Sequence, residues 1–230
     1  DGVWRFRRRV ESGNPEITFS YGQAGDVPLV GDWNGDGGVG IGVRRGRTFI
    51  LRNTASAGAP NIIFDWGRPT DRVFTGDWNG NGTTGVGLRR GRTWYLKNFL
   101  DGRPHEIQFD WGRPDDIPLV GDWNGDGRVG VGILRGSTWY LKHRLDSSPH
   151  DIQFTWAPPP PDPLQPPTSP DVPVALDWND NVTTGVGMVR SGPGGLIWFT
   201  KNAFDGAQNQ RQLTFGQPGD TPLAWGVPRT

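Results

Sequence analysis

The chain has 230 residues, of which 36 are glycine and 21 are proline, about a quarter of the total. Such a fraction is usual in low-complexity or disordered chains. Twelve tryptophans and eleven phenylalanines argue against that class, since disordered chains are poor in aromatic residues. Lys+Arg and Asp+Glu both number 24, so net charge gives no reason to expect nucleic acid or an anionic membrane as a partner.

Two absences in the sequence narrow the class of protein further. The chain contains no cysteine, which excludes disulfides, thiolate metal sites and a cysteine nucleophile. No run approaches the roughly 18 apolar residues of a membrane span, so we expect no membrane insertion. A chain rich in Gly and Trp and free of Cys suits a secreted bacterial protein, and we therefore expect an extracellular location.

The chain repeats itself with a period of 45 residues. The tripeptide Asp-Trp-Asn begins at Asp32, Asp77, Asp122 and Asp177. The first two steps are 45 residues long, and the third is lengthened by a Pro-rich insertion at 157–170. Because the glycines and prolines recur at fixed places, we interpret them as turn residues between short strands.

Each repeat contains four short runs that are typical of strands. In the third repeat these runs cover 117–123, 129–135, 138–144 and 151–156. No stretch of ten residues without Gly or Pro shows an apolar period of 3.6 residues, so we expect no helix. Four antiparallel strands in every 45 residues are typical of a β-propeller blade.

We therefore predict an all-β fold, a single domain over 1–230 that forms a five-bladed β-propeller. The repeats would cover about 27–71, 72–116, 117–170 and 171–220. Residues 1–26 and 221–230 would share the fifth blade, so that the termini close the ring and remove a free sheet edge. A solenoid of four repeats is the alternative, but it needs capping elements that the sequence does not show.

Prolines recur at the start of the first strand of the repeats. They are Pro28, Pro118, Pro173 and, in the closing blade, Pro222. Proline cannot donate a hydrogen bond to a neighbouring strand, so it is confined to edge strands. The pattern predicts that the first strand of each blade is an inner edge lining a central channel.

The loop after each first strand carries oxygen side chains at its first, third and fifth positions. The two loops with two carboxylates contain Asp32, Asn34 and Asp36, and Asp122, Asn124 and Asp126. The two loops with fewer contain Asp77, Asn79 and Asn81, and Asp177, Asn179 and Asn181. Alternate oxygens followed by glycine at the sixth position, as in the first three loops, are what a calcium loop requires.

The GDWNGDG loop, the GVG strand after it, and the TWYLKN and FDWG strands resemble the FG-GAP/VCBS family of propeller repeats, in its extracellular bacterial members. The resemblance covers nearly the whole chain and implies Ca²⁺ in the hairpin loop. This chain departs from the family pattern at loop position nine, where a carboxylate is replaced by Gly40, Gly85, Gly130 and Gly185. We expect either weak calcium binding or a plain turn closed by the Asp and Asn side chains.

Recurring aromatic residues fall into two sets. We expect the first set to pack between blades: Trp33, Trp78, Trp94, Trp123, Trp139 and Trp178. The second set ends the outermost strand of each repeat: Tyr21, Trp66, Trp111 and Trp156. These rings would either pack or lie half exposed, where a flat apolar face can stack on a sugar.

Each second strand ends in an arginine, at Arg45, Arg90, Arg135 and Arg190. These arginines would either pair with loop carboxylates or donate hydrogen bonds to hydroxyl or carboxylate groups of a ligand. His105 and His150 occupy equivalent loop positions, and we expect them to be surface residues.

No GxSxG, HExxH or P-loop motif is present, so we predict a protein that is not an enzyme. Repeated clefts between blades favour a lectin-like module that binds carbohydrate multivalently. One alternative is a structural or protein–protein interaction propeller of a larger secreted protein, with an extracellular protein as ligand. Another is a glycan-processing enzyme, which would need two carboxylates facing each other across the central mouth.

Overall fold

The computed structural model describes residues 2–7, 11–161, 163, 167, 169–179, 181–208 and 211–223. All regular secondary structure in these residues is β-strand, in five antiparallel sheets. In the described residues no helix is long and apolar enough to cross a membrane.

Four of the sheets have four strands each, and we call them blades 1 to 4. A two-stranded sheet precedes them, formed by β1 (Val3–Phe6) and β2 (Ile17–Ser20). Blade 1 contains β3 (Val27–Gly31), β4 (Gly40–Arg45), β5 (Thr48–Arg52) and β6 (Ile62–Asp65). Blade 2 contains β7 (Arg72–Gly76), β8 (Gly85–Arg90), β9 (Thr93–Lys97) and β10 (Ile107–Asp110).

Blades 3 and 4 repeat this order of strands. Blade 3 contains β11 (Ile117–Gly121), β12 (Gly130–Arg135), β13 (Thr138–Lys142) and β14 (Ile152–Thr155). Blade 4 contains β15 (Val172–Leu176), β16 (Gly185–Gly192), β17 (Gly195–Lys201) and β18 (Arg211–Thr214). Within each blade, every strand pairs with the next strand along the chain. The predicted four-stranded repeat is therefore confirmed.

The blades are arranged as in a β-propeller, around a central channel. The first strands of successive blades contact one another, β3 with β7, β7 with β11, and β11 with β15. They line a cavity of about 280 Å³ whose wall includes Pro28, Pro118, Pro173 and Pro222. The predicted position is therefore confirmed for Pro28, Pro118 and Pro173, which lie in first strands, whereas Pro222 lines the channel without lying in a strand.

The number of blades differs from the prediction. The described residues form four complete blades, where the sequence predicted five, and the β1–β2 sheet stands in the position of the last two strands of a fifth. The first strand of that blade was predicted after residue 220. Residues 221–223 are not in a strand, and residues 224–230 lie outside the described part of the chain.

The hydrophobic core lies between blades. Val86 and Leu88 of β8 belong to the same cluster as Phe49 and Trp66 of blade 1. Val131 and Ile133 of β12 pack in the same way on blade 2, and Ile41 and Val43 of β4 pack on the β1–β2 sheet. The tryptophans expected in the core are buried, with Trp94 and Trp139 at 0% exposure.

The alternating glycines of the second strands have a steric cause. A Cβ at Gly87 would lie 3.1 Å from the indole of Trp78, and a Cβ at Gly187 would lie 3.0 Å from the indole of Trp178. The glycine side of the strand therefore accommodates the tryptophan of its own blade. The other side carries Val and Leu side chains and packs on the preceding blade.

Replacing Trp139 by alanine should lower the free energy of unfolding by about 3–5 kcal/mol, because it removes a fully buried indole and leaves a cavity between blades 3 and 4. Urea unfolding followed by fluorescence measures this. The matched control is Ile63→Ala, at a side chain that is 62% exposed on the outer strand of blade 1. It should change the free energy of unfolding by less than about 0.5 kcal/mol, and equal losses for the two variants would contradict the assignment of the core.

Candidate functional site

The first aspartate of each loop closes the loop on itself. Asp32 Oδ1 accepts hydrogen bonds from the amides of Gly35 (2.7 Å) and Asp36 (3.2 Å), and its Oδ2 accepts one from Gly37 (2.7 Å). Asp77 and Asp122 accept the same three bonds, and Asp177 also accepts three from its own loop. This is the Asx-type turn that the sequence left as one of two interpretations.

The third and fifth loop positions bind one another and the backbone. Asn34 Nδ2 donates to Asp36 Oδ2 at 2.8 Å, and Gly38 N donates to Asp36 Oδ1 at 2.7 Å. The hydrogen bond from Asn34, followed by that from Gly38, holds the pKa of Asp36 below its ordinary value. Asn124 Nδ2 donates to Asp126 in the same way, whereas Asn79 Oδ1 accepts from the Asn81 amide; the amides of Thr83 and Thr183 donate to the side chains of Asn81 and Asn181.

Loop position nine has no room for a side chain. A Cβ at Gly85 would lie 2.2 Å from the carbonyl oxygen of Lys97, and one at Gly130 would lie 2.2 Å from that of Lys142. The described residues contain no group of three or more His, Cys, Asp or Glu placed to hold a metal ion. The donor set therefore fits a calcium ion poorly, and calcium binding stays a prediction.

The predicted arginines all form ion pairs with aspartates that lie 19 residues earlier. Arg135 donates from Nε and Nη2 to the two oxygens of Asp116 at 2.7 and 2.8 Å. The other pairs are Arg45 with Asp26, Arg90 with Asp71, and Arg190 with Asp171. Burial raises the pKa of Asp116, but the hydrogen bonds from Arg135 and from the Arg113 amide outweigh it and leave that pKa below its ordinary value.

A second arginine, from the preceding blade, holds the turns before blades 2 and 3. Arg89 of blade 2 is 3% exposed and donates to the carbonyls of Asp116 (3.0 Å) and Arg113 (2.6 Å). Arg44 of blade 1 makes the same bonds to the turn that ends at Asp71. The turn between two blades is thus bound by arginines from both of them, which holds it rigidly at the junction.

The aromatic residues at the ends of the outer strands are buried. Tyr21, Trp66 and Trp111 are 8% exposed and Trp156 is 4% exposed. Of the two alternatives for these rings, the structure shows packing, because the second strand of the next blade covers them, as Ile133 covers Trp111. Their faces lie within the core and are not surfaces for stacking on a sugar.

A cleft opens between blades 2 and 3, above the turn held by the two arginines. Its volume is about 280 Å³, and it is lined by Trp111, Gly112, Arg113, Ile133, Arg135, Tyr140 and His150. The Arg135 guanidinium lies 5.0 Å from the centre of the Tyr140 ring, and the His150 ring meets that ring edge-on at 5.0 Å. Arg135 keeps 32% of its side chain exposed, although Asp116 behind it is 3% exposed.

The same arrangement occurs one repeat earlier, between blades 1 and 2. The equivalent residues are Trp66, Gly67, Arg68, Leu88, Arg90, Tyr95 and His105. Arg90 lies 5.1 Å from the centre of the Tyr95 ring, and the Tyr95 and His105 rings meet edge-on at 5.0 Å. From these matching contacts we infer an equivalent cleft between blades 1 and 2, which we call the first cleft, and we call that between blades 2 and 3 the second cleft.

The neighbouring junctions keep the arginine and its aspartate but lack the pair of tyrosine and histidine. Before blade 1, Ile50 and Pro60 stand at the positions of the tyrosine and the histidine. Before blade 4, Phe199 replaces the tyrosine and is 4% exposed. Within the described residues the Arg–Tyr–His arrangement is thus confined to the first and second clefts.

Only part of this site was predicted from the sequence. Arg90 and Arg135 were predicted as site residues, the tyrosines were not, and His105 and His150 were predicted as surface residues. The signal that could have found them is the joint recurrence of Tyr and His after 45 residues in two repeats and its absence from the others.

Comparison with family models and with curated proteins finds no match. Among solved structures, a lectin of Agrocybe aegerita, described as recognising non-reducing terminal N-acetylglucosamine, matches with a TM-score of 0.47 and 15% identity over 86% of this chain and 54% of the lectin chain. BBS1N, in its complex with ARL6DN, matches with a TM-score of 0.43 and 11% identity over 85% of this chain and 57% of that chain. This chain spans little more than half the length of either, and at these TM-scores neither carries an argument about function.

Replacing Asp116 by asparagine should cost about 1–2 kcal/mol of unfolding free energy at pH 7, since it removes the carboxylate that accepts from Arg135 and Arg113. The lowered pKa of Asp116 sets the pH dependence. The ionised carboxyl stabilises the fold fully above its unfolded pKa, near 3.8, and this contribution is lost as the pH falls through the lower folded pKa.

Urea unfolding of the parent and of this variant should therefore converge as the pH is lowered from 7 to 2.5. Asp115→Asn, at the adjacent exposed carboxylate, is the control and should leave stability unchanged. A difference between parent and Asp116→Asn that is constant with pH would contradict the role of the ion pair.

We expect the midpoint of thermal unfolding to differ by less than about 1 °C between 5 mM CaCl₂ and EDTA. The loop aspartates are already bonded to their own backbone, and position nine cannot carry a ligand, so calcium should add little stability. A rise of several degrees in calcium, absent in Asp122→Asn, would instead establish a calcium site.

Proposed function

We propose that this chain is a noncatalytic, lectin-like module that binds carbohydrate at its inter-blade clefts. The observation that carries the proposal is the duplicated cleft, in which Arg, Tyr and His side chains have the same spacing at two junctions. Core packing does not require this set, because the junctions before blades 1 and 4 pack without it. A repeated set of partly exposed polar groups suits a repeated ligand.

The chemistry of the cleft suits hydroxylated ligands. Asp116 engages only Nε and Nη2 of Arg135, so the Nη1 donors are not used by the carboxylate. The Tyr140 hydroxyl can donate or accept, and His150 contributes a second ring with polar atoms. Because the aromatic faces at the strand ends are buried, we infer that hydrogen bonding rather than stacking holds the sugar.

Absence of catalysis is part of the proposal. Aspartates along the central channel include Asp77, Asp122 and Asp177, and each accepts backbone hydrogen bonds within its own loop. Burial, counteracted by those bonds, raises the pKa of Asp122. Carboxylates bound in this way are turn elements, which supports a binding role over glycan hydrolysis.

We also propose that the ring has five blades, closed by the two ends of the chain, and that the protein acts outside the cell, where repetitive glycans are displayed. Arg5 of β1 pairs with Asp220 at 2.9 Å, and Ser12 Oγ accepts from Thr214 N at 2.9 Å. These contacts bring the β1–β2 sheet against the end of blade 4, which supports closure.

The test is a glycan array followed by calorimetry with a monovalent sugar from the array. We expect two sites, and Tyr140→Ala should reduce the stoichiometry from about two to about one by removing the second cleft. The double variant Tyr95→Ala/Tyr140→Ala should lose binding. The control is Phe99→Ala, at an aromatic residue that is 59% exposed and outside both clefts.

A blank array, or a sugar whose stoichiometry is unchanged in the double variant, would overturn the proposal. A blank array would favour the structural or protein–protein interaction alternative. Unchanged melting midpoints for the tyrosine variants establish that the loss of binding is local to the clefts.

A further inference from the structure

The lining of the second cleft carries basic side chains and no acidic one. It contains two arginines and a histidine, Arg113, Arg135 and His150, and no carboxylate. Asp116, which neutralises Arg135, lies behind the guanidinium and is 3% exposed. A ligand in the cleft therefore meets the donors of the arginines, and the compensating carboxylate is out of its reach.

Arg113 adds a positive charge that the turn does not use. Its amide donates to Asp116 and its carbonyl accepts from Arg89, so the backbone alone holds the turn. Its side chain is exposed, and among the described residues no salt bridge to it is found. In the first cleft Arg68 has the same position and the same backbone bonds.

A site of this kind has more hydrogen-bond donors than acceptors. Guanidinium groups only donate hydrogen bonds, whereas each hydroxyl of a neutral sugar needs an acceptor for its proton as well as a donor. A carboxylate accepts only, and its two oxygens match the spacing of guanidinium donors. The lining is therefore complementary to an anionic group and less so to a neutral sugar.

We propose that the two clefts select glycans that carry a carboxylate, such as uronic acids, with Arg68 and Arg113 as the residues that determine this specificity. The inference rests on the proposed carbohydrate function and adds the class of sugar. The turns beside the two clefts differ at one position, where Thr70 in the first turn is replaced by the carboxylate of Asp115 in the second. The first cleft should therefore bind the acid more tightly.

The test compares trigalacturonic acid with its methyl ester, a pair that differs only in charge, on the intact protein. We expect the acid to bind at least about fivefold more tightly at 50 mM NaCl and to lose this advantage at 500 mM, because added salt screens exposed charges. Neutral and sialylated oligosaccharides are assayed beside this pair.

The variant Arg68→Gln/Arg113→Gln should weaken binding of the acid about two- to fivefold per cleft, the scale of an exposed ion pair, and leave the ester unchanged. The matched control is Arg128→Gln, which removes the same charge from the loop before β12, at the opposite end of that strand from Arg135. The buried Arg–Asp pairs stay intact in all these variants.

The outcomes separate the two proposals. Equal binding of acid and ester, or acid binding that the Arg68→Gln/Arg113→Gln variant does not weaken, would overturn the specificity and leave the lectin function in place. If no sugar of any charge binds, both proposals are wrong. If hexaglutamate binds as tightly as trigalacturonic acid, the clefts recognise acidic chains in general, and the assignment to glycans is overturned.

Discussion

The packing of one tryptophan into its own blade is the constraint on which the rest of the structure depends. The indole of Trp78 occupies the glycine face of β8, so Gly85 and Gly87 cannot carry side chains. The opposite face of the same strand is left to Val86 and Leu88, which pack on blade 1. One aromatic residue in each repeat thus determines the sequence of the second strand, and through it the contact between blades. At position nine of this loop, the Lys97 carbonyl together with the indole leaves no room for the side chain that a calcium loop would use.

The junctions between blades are polar on one side of this core. The turns before blades 2 and 3 are each bound through the aspartate carboxylate by an arginine of the following blade and through the carbonyls by an arginine of the preceding blade. This double attachment fails at the junction of blades 3 and 4. There Leu134 stands at the position of Arg89, and the chain after Trp156 enters the Pro-rich insertion, where Arg190 donates to the Pro159 carbonyl at 2.8 Å. The cleft with Tyr and His occurs at the two junctions that keep both arginines, where the turn is held from both blades.

Much of the fold could be predicted from the repeat alone. The period, the four strands of each blade, the buried tryptophans and the prolines along the channel follow from spacing and from alternation, because both are local properties of the chain. The candidate site could be predicted only in part. An arginine ends the predicted second strand of every repeat, so Arg90 and Arg135 could be predicted from the sequence. Their aspartate partners lie 19 residues earlier and are brought close only by the pairing of the first and second strands. The burial of Trp66 and Trp111 depends on a strand of the next blade, which spacing within one repeat does not show.

The sequence by itself determined that this protein is an all-β repeat protein with four-stranded repeats and a tryptophan core, since turn chemistry and alternation act over a few residues. Only the tertiary structure decided which recurring side chains face solvent. Arg90, Tyr95 and His105 come from separate segments of blade 2 and contact one another in the folded blade, and the turn that carries Arg68 precedes that blade. Contacts between blades join residues from separate repeats, so the cleft, its charge and its proposed ligand are properties of the assembled propeller.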